Sequence, residues 1–267
     1  MESLVSSEQE VHIVTRNQLK EDLLACGIKK GDVIEVHASL KKVGYITGGP
    51  QTLIDAIIDV IGFEGTLVMA AQAHDNSEPA FFAHPPIPVK EYEAFREARP
   101  TNKGKLENFR NMGELSKALI ARPNSYLSDH PQVAFVALGK YAKWITQSHP
   151  LSAQLGLDSP LGRCLELKSK IILIGVNYDN ATGLHLGEHL SYKRPCILQG
   201  AKVLIHSEPT WVKFNAYDYD SDDFIEVGKR LEKENCVEFN KIGDAQVKIF
   251  KLEEATQITK AYFEEIL

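Results

Sequence analysis

The segment between residues 33 and 70 constrains the fold of this chain more than any other. An alternating apolar run at Val33–His37 predicts a strand, and Pro50 is placed to begin a helix whose apolar residues repeat at helical spacing up to Gly62. Thr66–Ala70 predicts a second strand. A strand, a glycine-bearing loop, a helix and a strand in this order predict a parallel β-α-β unit, and hence an α/β protein.

The remainder of the chain predicts a layered α/β fold, with a central mixed sheet flanked by helices and a smaller, partly antiparallel C-terminal part. The apolar run at Lys170–Val176 predicts a central strand buried on both faces. Residues 74–111 carry many charges and little periodicity, so they predict a long excursion or lid. We expect one domain over 1–267, with a C-terminal sub-domain over 196–267.

Composition narrows the classes of function. The formal net charge is −6, which argues against a nucleic-acid partner because such proteins usually present a basic face. The four cysteines are widely spaced and form no C-x-x-C pair, a pattern typical of reduced thiols. The N-terminal region has no apolar run, and no stretch approaches the ~18 apolar residues of a membrane span. We expect a cytoplasmic protein with no membrane partner, and the sequence predicts no particular oligomeric state.

A histidine and a glutamate three residues apart are the first candidates for chemistry. His185 and Glu188 would share one face of a helix that follows a buried strand, near the ligand-binding edge of the sheet. The carboxylate could then hold one imidazole nitrogen and leave the other free as a general base. The alternative is an ordinary polar surface helix.

The same helix also fits a metal-binding pattern. His185, Glu188 and His189 match the inverted zincin motif H-x-x-E-H, in which histidines at i and i+4 could both ligate zinc. Gly187 inside the motif, and the immediately preceding buried strand, argue against this interpretation. A zinc-dependent hydrolase stays open as an alternative, although we expect no metal.

The loop after the first predicted strand is a second candidate site. It runs from Val36–Leu40 to Gly48 and Gly49, directly before a helix whose N-terminal N–H groups and dipole could favour phosphate. A plain β-α turn is the alternative there. His130 and His149 each precede a proline, and we expect structural roles for both.

Short motifs occur along the chain in a fixed order, from about Thr15 to the C-terminus. They are Val36-His37-Ala38-Ser39-Leu40, Val43-Gly44, Gly48-Gly49, Gly65-Thr66-Leu67-Val68-Met69, Arg110-Asn111-Met112-Gly113, His130-Pro131, Asp158-Ser159-Pro160-Leu161 and Leu184-His185-Leu186-Gly187-Glu188. Together they resemble the aminoglycoside 3-N-acetyltransferases, the antibiotic-acetyltransferase type.

The resemblance implies acetyl-CoA as co-substrate and a small-molecule amine as acceptor, such as an aminoglycoside or a related amino sugar. It implies a donor site built from His37, Ala38, Ser39, Leu40, Val43, Gly44, Thr47, Met69, Ala70, Ala71, Arg110 and Met112. It implies acceptor-binding carboxylates drawn from Asp75, Glu78, Asp158 and Asp179. His185 would act as the base, Glu188 would orient it, and backbone N–H groups near Ala70 could stabilise the tetrahedral oxyanion.

Four residues depart from the family pattern. Ala38 stands where members commonly have serine, Ala70-Ala71 where they have proline followed by threonine or serine, and Gly187 where alanine is usual. The change at Ala71 removes a hydroxyl that could face the thioester. A coenzyme-A-binding homologue with little turnover is therefore the second alternative.

Overall fold

A computed structural model of the chain describes residues 12–73, 75–101 and 112–266. The strands are β1 Ile13–Val14, β2 Val33–Ala38, β3 Tyr45–Ile46, β4 Thr66–Gln72, β5 Tyr126–Leu127, β6 Val133–Gly139, β7 Lys170–Ile174, β8 Cys196–Ile205, β9 Glu208–Tyr217, β10 Glu238–Ile242 and β11 Ala245–Lys251. The helices are α1 Arg16–Ala25, α2 Leu40–Val43, α3 Pro50–Ile61, α4 Tyr92–Ala98, α5 Glu114–Ile120, α6 Ala142–Thr146, α7 Pro160–Glu166, α8 Leu184–Leu190, α9 Phe224–Lys233 and α10 Leu252–Ile266. In this described part, each helix is too short or too polar to cross a membrane.

Seven strands form one mixed sheet in the order β10-β11-β7-β2-β4-β6-β5. Strand β2 lies parallel to both its neighbours, β4 and β7, and the other adjacent strands are antiparallel. The predicted β-α-β unit is therefore present as β2, α3 and β4. The mixed central sheet, flanked by helices and accompanied by a small antiparallel sheet, confirms the predicted fold class.

Helices cover both faces of this sheet, and alternate residues of β2 belong to different cores. Ile34 and Val36 pack into the core beneath α1, α3 and α5, whereas Val33 packs into the core beneath α8, α9 and α10. Successive side chains of a strand point to opposite faces. Glu35 and His37 consequently face the layer that contains α8, and Glu35 is fully buried there.

The C-terminal segment is divided between two sheets. Among the described strands, β8 and β9 pair only with each other, as a long antiparallel hairpin. Strand β11 instead forms a five-residue antiparallel ladder with β7, and β10 follows it at the edge of the main sheet. Residues 238–251 thus belong to the central sheet, in contrast to the sub-domain expected over 196–267.

The segment after β4 is docked onto the hairpin by the side chain of Asn76. Its carboxamide bonds both backbone groups of Lys202, with Nδ2 donating to the carbonyl at 3.1 Å and Oδ1 accepting from N–H at 2.9 Å. Nearby, the N–H of Glu78 donates to Oε1 of Gln199 at 3.0 Å. The described part of the expected excursion is therefore packed against β8 and contains α4.

Candidate active site

A cavity of about 610 Å³ opens at the carboxyl ends of β2 and β4. Ligands of parallel strands gather at this edge. Its walls are formed by the ends of these strands, the beginning of α5, the residues around the beginning of α8, and the segment that follows β9. The lining includes Val36, His37, Ala38, Met69, Ala70, Met112, Asp179, Thr182, His185, Tyr217, Asp218, Tyr219 and Asp220.

His185 lines this cavity and is held from behind by Glu188. Nδ1 of His185 lies 2.5 Å from Oε2 of Glu188, which is fully buried. The other carboxylate oxygen accepts hydrogen bonds from Nε of Arg194 at 2.5 Å and from the N–H of Asp220 at 3.1 Å. Because Nδ1–H donates to the carboxylate, Nε2 carries the lone pair, and among the described residues it has no hydrogen-bond partner.

Close packing of α8 on α10 explains the glycine at position 187. A Cβ at Gly187 would lie 2.5 Å from the carbonyl oxygen of Thr256 and 2.6 Å from Cβ of Thr259. The alanine that is usual in the resembled family would therefore collide with the backbone of α10. His185 is further fixed by the rings of Phe224 and Tyr219, at centroid distances of 4.6 and 5.4 Å.

His189, the second histidine of the zincin pattern, has a different environment. Its Nδ1 lies 2.7 Å from the hydroxyl of Tyr219, and its ring meets that of Tyr217 edge-on at 4.9 Å. Burial lowers the pKa of His189, although the charge of Glu188 acts in the opposite direction. Within 12–73, 75–101 and 112–266, no three histidine, cysteine or acidic side chains are grouped to hold a metal ion.

A second carboxylate–imidazole pair lies in the same cavity wall. Nε2 of His37 lies 2.9 Å from Oε1 of Glu35, and the His37 side chain is 11% exposed. The residue-by-residue prediction named His37 but missed Glu35. The available signal was a glutamate two positions before the histidine in an otherwise apolar strand, because such residues share one face.

Comparison with known proteins gives the relatives of this chain. A model of the aminoglycoside 3-N-acetyltransferase family matches residues 36–264. The chain belongs to this family. The prediction of an acyl-CoA-dependent N-acetyltransferase with acetyl-CoA as co-substrate is thereby confirmed.

Individual relatives cover nearly the whole chain. The SPbeta prophage-derived aminoglycoside N(3')-acetyltransferase-like protein YokD of Bacillus subtilis (strain 168) is 34% identical over 93% of this chain and 92% of its own. Its crystal structure superposes with a TM-score of 0.90, covering 94% of each chain. Aminoglycoside N(3)-acetyltransferase VII of Streptomyces paromomycinus is 30% identical over 95% of this chain and 93% of its own. The structure of AAC-IIIb with CoASH is 26% identical, with a TM-score of 0.81 and coverages of 95% and 97%.

The acidic lining of the cavity in this family member differs from the expected set. Of the expected carboxylates, Asp179 lines the cavity. Asp75 instead pairs with Arg99, Glu78 pairs with Arg96, and Asp158 is exposed outside the lining. The lining contains two further acidic residues, which the sequence prediction missed although they belong to an acidic run after β9: Asp218 and Asp220.

The expected donor residues are also divided. Five of them line the cavity: His37, Ala38, Met69, Ala70 and Met112. Ser39, Leu40, Val43, Gly44 and Thr47 do not, because the segment after β2 turns away into α2 and β3, and Val43 is fully buried in the core. Arg110 lies outside the described residues.

Ala71, one of the departures from the family pattern, is not among the residues that line the cavity. It is fully buried and belongs to the core beneath α3 and α5, whereas Ala70 belongs to the opposite core and lines the cavity. Met69, two positions earlier in the same core, does line the cavity.

His130 and His149 form hydrogen bonds to the backbone of residues that line the cavity, in agreement with the expected structural roles. Nδ1 of His130 accepts from the N–H groups of Gln132 and Val133, both at 3.1 Å. Nε2 of His149 donates to the carbonyl of Gln154 at 2.6 Å. Burial is the main cause that lowers the pKa of His130 to about 4 and that of His149 to about 3, so both rings are neutral at neutral pH.

Proposed function

We propose that this protein transfers an acetyl group from acetyl-CoA to an amine of a cationic acceptor, such as an aminoglycoside or a related amino sugar. The observation that carries the proposal is the His185–Glu188 pair, which stands in a cavity whose charged lining is acidic. The proposal includes a cytoplasmic location. Family membership supports the reaction class.

His185 acts as the general base. Its Nε2 accepts a proton from the amine as the nitrogen attacks the thioester carbonyl, while Nδ1–H remains bonded to Glu188. The buried carboxylate stabilises the imidazolium that forms and holds the ring in the required tautomer. Arg194 and the N–H of Asp220 fix Glu188 in turn, so the base is preorganised by a chain of short contacts. General-base assistance of this kind contributes about 10²–10⁴ in rate.

The acceptor side of the cavity is the end that contains the segment after β9. Asp218 and Asp220 supply negative charge there, Asp179 adds a third carboxylate to the lining, and no lysine or arginine stands among the lining residues described. Tyr217 and Tyr219 add stacked aromatic faces, with ring centroids 6.0 Å apart, to which cations are attracted. The names of the curated relatives support aminoglycosides as the acceptor class.

The donor side is the apolar end. Val36, Ala38, Met69, Ala70 and Met112 line it at the carboxyl ends of β2 and β4. Such a surface suits the pantetheine arm of coenzyme A, whose length is largely uncharged. The CoASH complex of AAC-IIIb supports coenzyme A as the ligand of this fold.

Release of free thiol from acetyl-CoA, measured across a panel of amines, tests the proposal. We expect release with cationic amino sugars and polyamines, and none with anionic amines. A thermal shift with coenzyme A but no thiol release from any amine would indicate the binding homologue instead. The zinc hydrolase finds little support in the geometry, because His189 bonds Tyr219 and Glu188 is occupied by Arg194; bound zinc found by elemental analysis would restore it.

A further inference from the structure

Glu35 is a fully buried carboxylate in the central strand of the sheet, and its environment calls for an explanation. Oε1 lies 2.9 Å from Nε2 of His37, but Oε2 is buried without a hydrogen-bond partner among the described residues. Gly183, at the start of α8, packs against this oxygen, since a Cβ there would lie 2.5 Å from Oε2. Burying a carboxylate with so few partners is costly, so packing alone would favour an apolar residue at this position.

The hydrogen bonding of His37 fixes which nitrogen is available to a substrate. Nε2 lies 2.9 Å from Oε1 of Glu35 and 3.3 Å from the N–H of Thr182. One nitrogen cannot donate to the first and accept from the second, and the shorter contact to the carboxylate makes Nε2 the donor. Nδ1 then has no hydrogen-bond partner within the described part of the chain. His37 thus resembles His185: each imidazole lines the cavity and is backed by a buried carboxylate.

The reaction has a use for a second imidazole. The carbon–sulfur bond of the thioester breaks when the amide forms, and the departing thiolate must gain a proton to leave as the thiol. His185 has the opposite task, because its Nε2 takes a proton from the attacking nitrogen. One ring cannot meet both needs at the same instant. An imidazole supported by a carboxylate can carry a proton in either direction.

We propose that His37 donates the proton that the departing thiolate takes up, with Glu35 as its positioning residue. This rests on the proposed function. His37 is followed in β2 by the apolar lining residue Ala38, on the proposed donor side, whereas the ring of His185 lies against Tyr219, on the proposed acceptor side. His185 therefore acts on the carbon–nitrogen bond that forms, and His37 acts on the carbon–sulfur bond that breaks.

The protons balance as follows. As the carbon–nitrogen bond forms, Nε2 of His185 accepts the amine proton. His37 enters the step as the imidazolium, with Nε2–H bonded to Glu35 and a second proton, taken from water, on Nδ1. As the carbon–sulfur bond breaks, Nδ1 gives that proton to the sulfur, and His37 is left as the neutral ring with Nε2–H still bonded to Glu35. His185 then loses its proton to water and His37 regains one from water. Starting from the neutral amine and the thioester, the products are the amide and the neutral thiol.

Changing the leaving group separates proton donation from mere support of the fold. We compare acetyl-CoA with an acetyl thioester of 4-nitrothiophenol, whose acidic thiol departs without needing a proton. With acetyl-CoA, we expect His37→Gln and Glu35→Gln to lower kcat by about 10²-fold or more, the range of general acid catalysis. With the activated thioester, both losses should fall below tenfold. His206→Asn, in the exposed turn between β8 and β9, is the matched histidine control, and its kcat should equal that of the wild type with either donor.

Other outcomes would overturn the assignment in different ways. Equal losses with the two donors would make His37 a structural or binding residue, and full activity of His37→Gln with acetyl-CoA would leave it no part in the step. If the wild-type protein releases no thiol from either donor, the proposed function fails instead. Imidazole ¹H–¹⁵N spectra test the pair without turnover: we expect a protected Nε2–H signal of His37 that Glu35→Gln abolishes, and its absence in the wild type would refute the pair.

Discussion

The guanidinium of Arg194 lies 4.9 Å from the ring centroid of Phe263 while its Nε donates to the carboxylate of Glu188 at 2.5 Å. The same guanidinium also donates to the carbonyl of Asp220 at 3.1 Å and to Oδ2 of Asp223 at 3.3 Å. One side chain therefore joins α8, the segment after β9, α9 and α10 around the group that orients His185. The geometry of the base depends on the C-terminal helices as much as on its own helix.

The two histidines of α8 should differ sharply when each is replaced. We expect His185→Ala to lower kcat by about 10²–10⁴-fold, because it removes the base that faces the cavity. His189→Gln should keep activity within about tenfold, because His189 bonds Tyr219 and is not the base. Steady-state thiol release measures both. Similar losses in the two variants, together with bound zinc, would instead support the metal interpretation.

The orienting carboxylate gives a second prediction. Glu188→Gln keeps the volume of the side chain but allows its amide to turn an N–H toward His185, which favours the wrong tautomer. We expect its loss in kcat to approach that of His185→Ala, with the KM for acetyl-CoA nearly unchanged. Retention of most activity in Glu188→Gln would show that the short contact to His185 has no catalytic value.

Acidic residues of the cavity should control affinity for the acceptor. We expect Asp218→Asn and Asp179→Asn each to raise the KM for a cationic amine several-fold at low ionic strength while kcat changes little, because they remove attraction at the cavity wall. Added salt should reduce the difference in this KM between each variant and the wild type, because it screens the attraction. Asp158→Asn is the matched control, since Asp158 lies outside the lining and should give wild-type kinetics. An effect of Asp158→Asn as large as the others would contradict the site described above.

The buried histidines behind the cavity predict how stability depends on pH. The folded pKa values of His130 and His149, about 4 and about 3, lie below the ordinary 6.5. As pH falls below about 6.5, the unfolded chain therefore binds more protons than the folded one. The free energy of unfolding is highest above that pH and decreases progressively as pH falls toward the folded pKa values of about 4 and about 3. The free energy of unfolding should fall by up to about 1.4 kcal/mol per pH unit for each histidine.

Denaturant titrations between pH 7 and 4 measure this slope. The variant His130→Gln/His149→Gln should show a flatter profile, even where its stability at pH 7 is lower. A profile as steep as that of the wild type would mean that other groups take up the protons.

Helix packing gives a prediction for the unusual glycine of α8. Gly187→Ala should lower the free energy of unfolding by about 1–3 kcal/mol, because its Cβ would overlap the backbone of α10. Gly113→Ala is the matched control, since a Cβ there would meet no atom within 4 Å. Urea denaturation distinguishes the two. A stable Gly187→Ala would show that α10 can move aside.

Local signals in the sequence predicted the frame of the fold and one half of the site. The β-α-β unit around α3 could be read from periodicity, and the contact of His185 with Glu188 follows from helical geometry. Glu35, the partner of His37, lies two residues earlier on the same strand, so the two-residue periodicity of a strand could also have predicted this contact. The salt bridge between Asp75 and Arg99 and the position of Asp218 in the cavity lining depend instead on the tertiary packing of segments that are distant in the sequence. No local pattern carries that information.

The position of β11 determines when the central sheet can be completed during synthesis. Strand β7 lies between β2 and β11, so one of its edges stays open until residues 245–251 have been synthesised and have paired with it. An apolar strand with an unpaired edge readily adds strands from other molecules. During synthesis on the ribosome the nearly finished chain would therefore expose this edge to association, and a protein shortened before residue 245 would keep the edge of β7 unpaired.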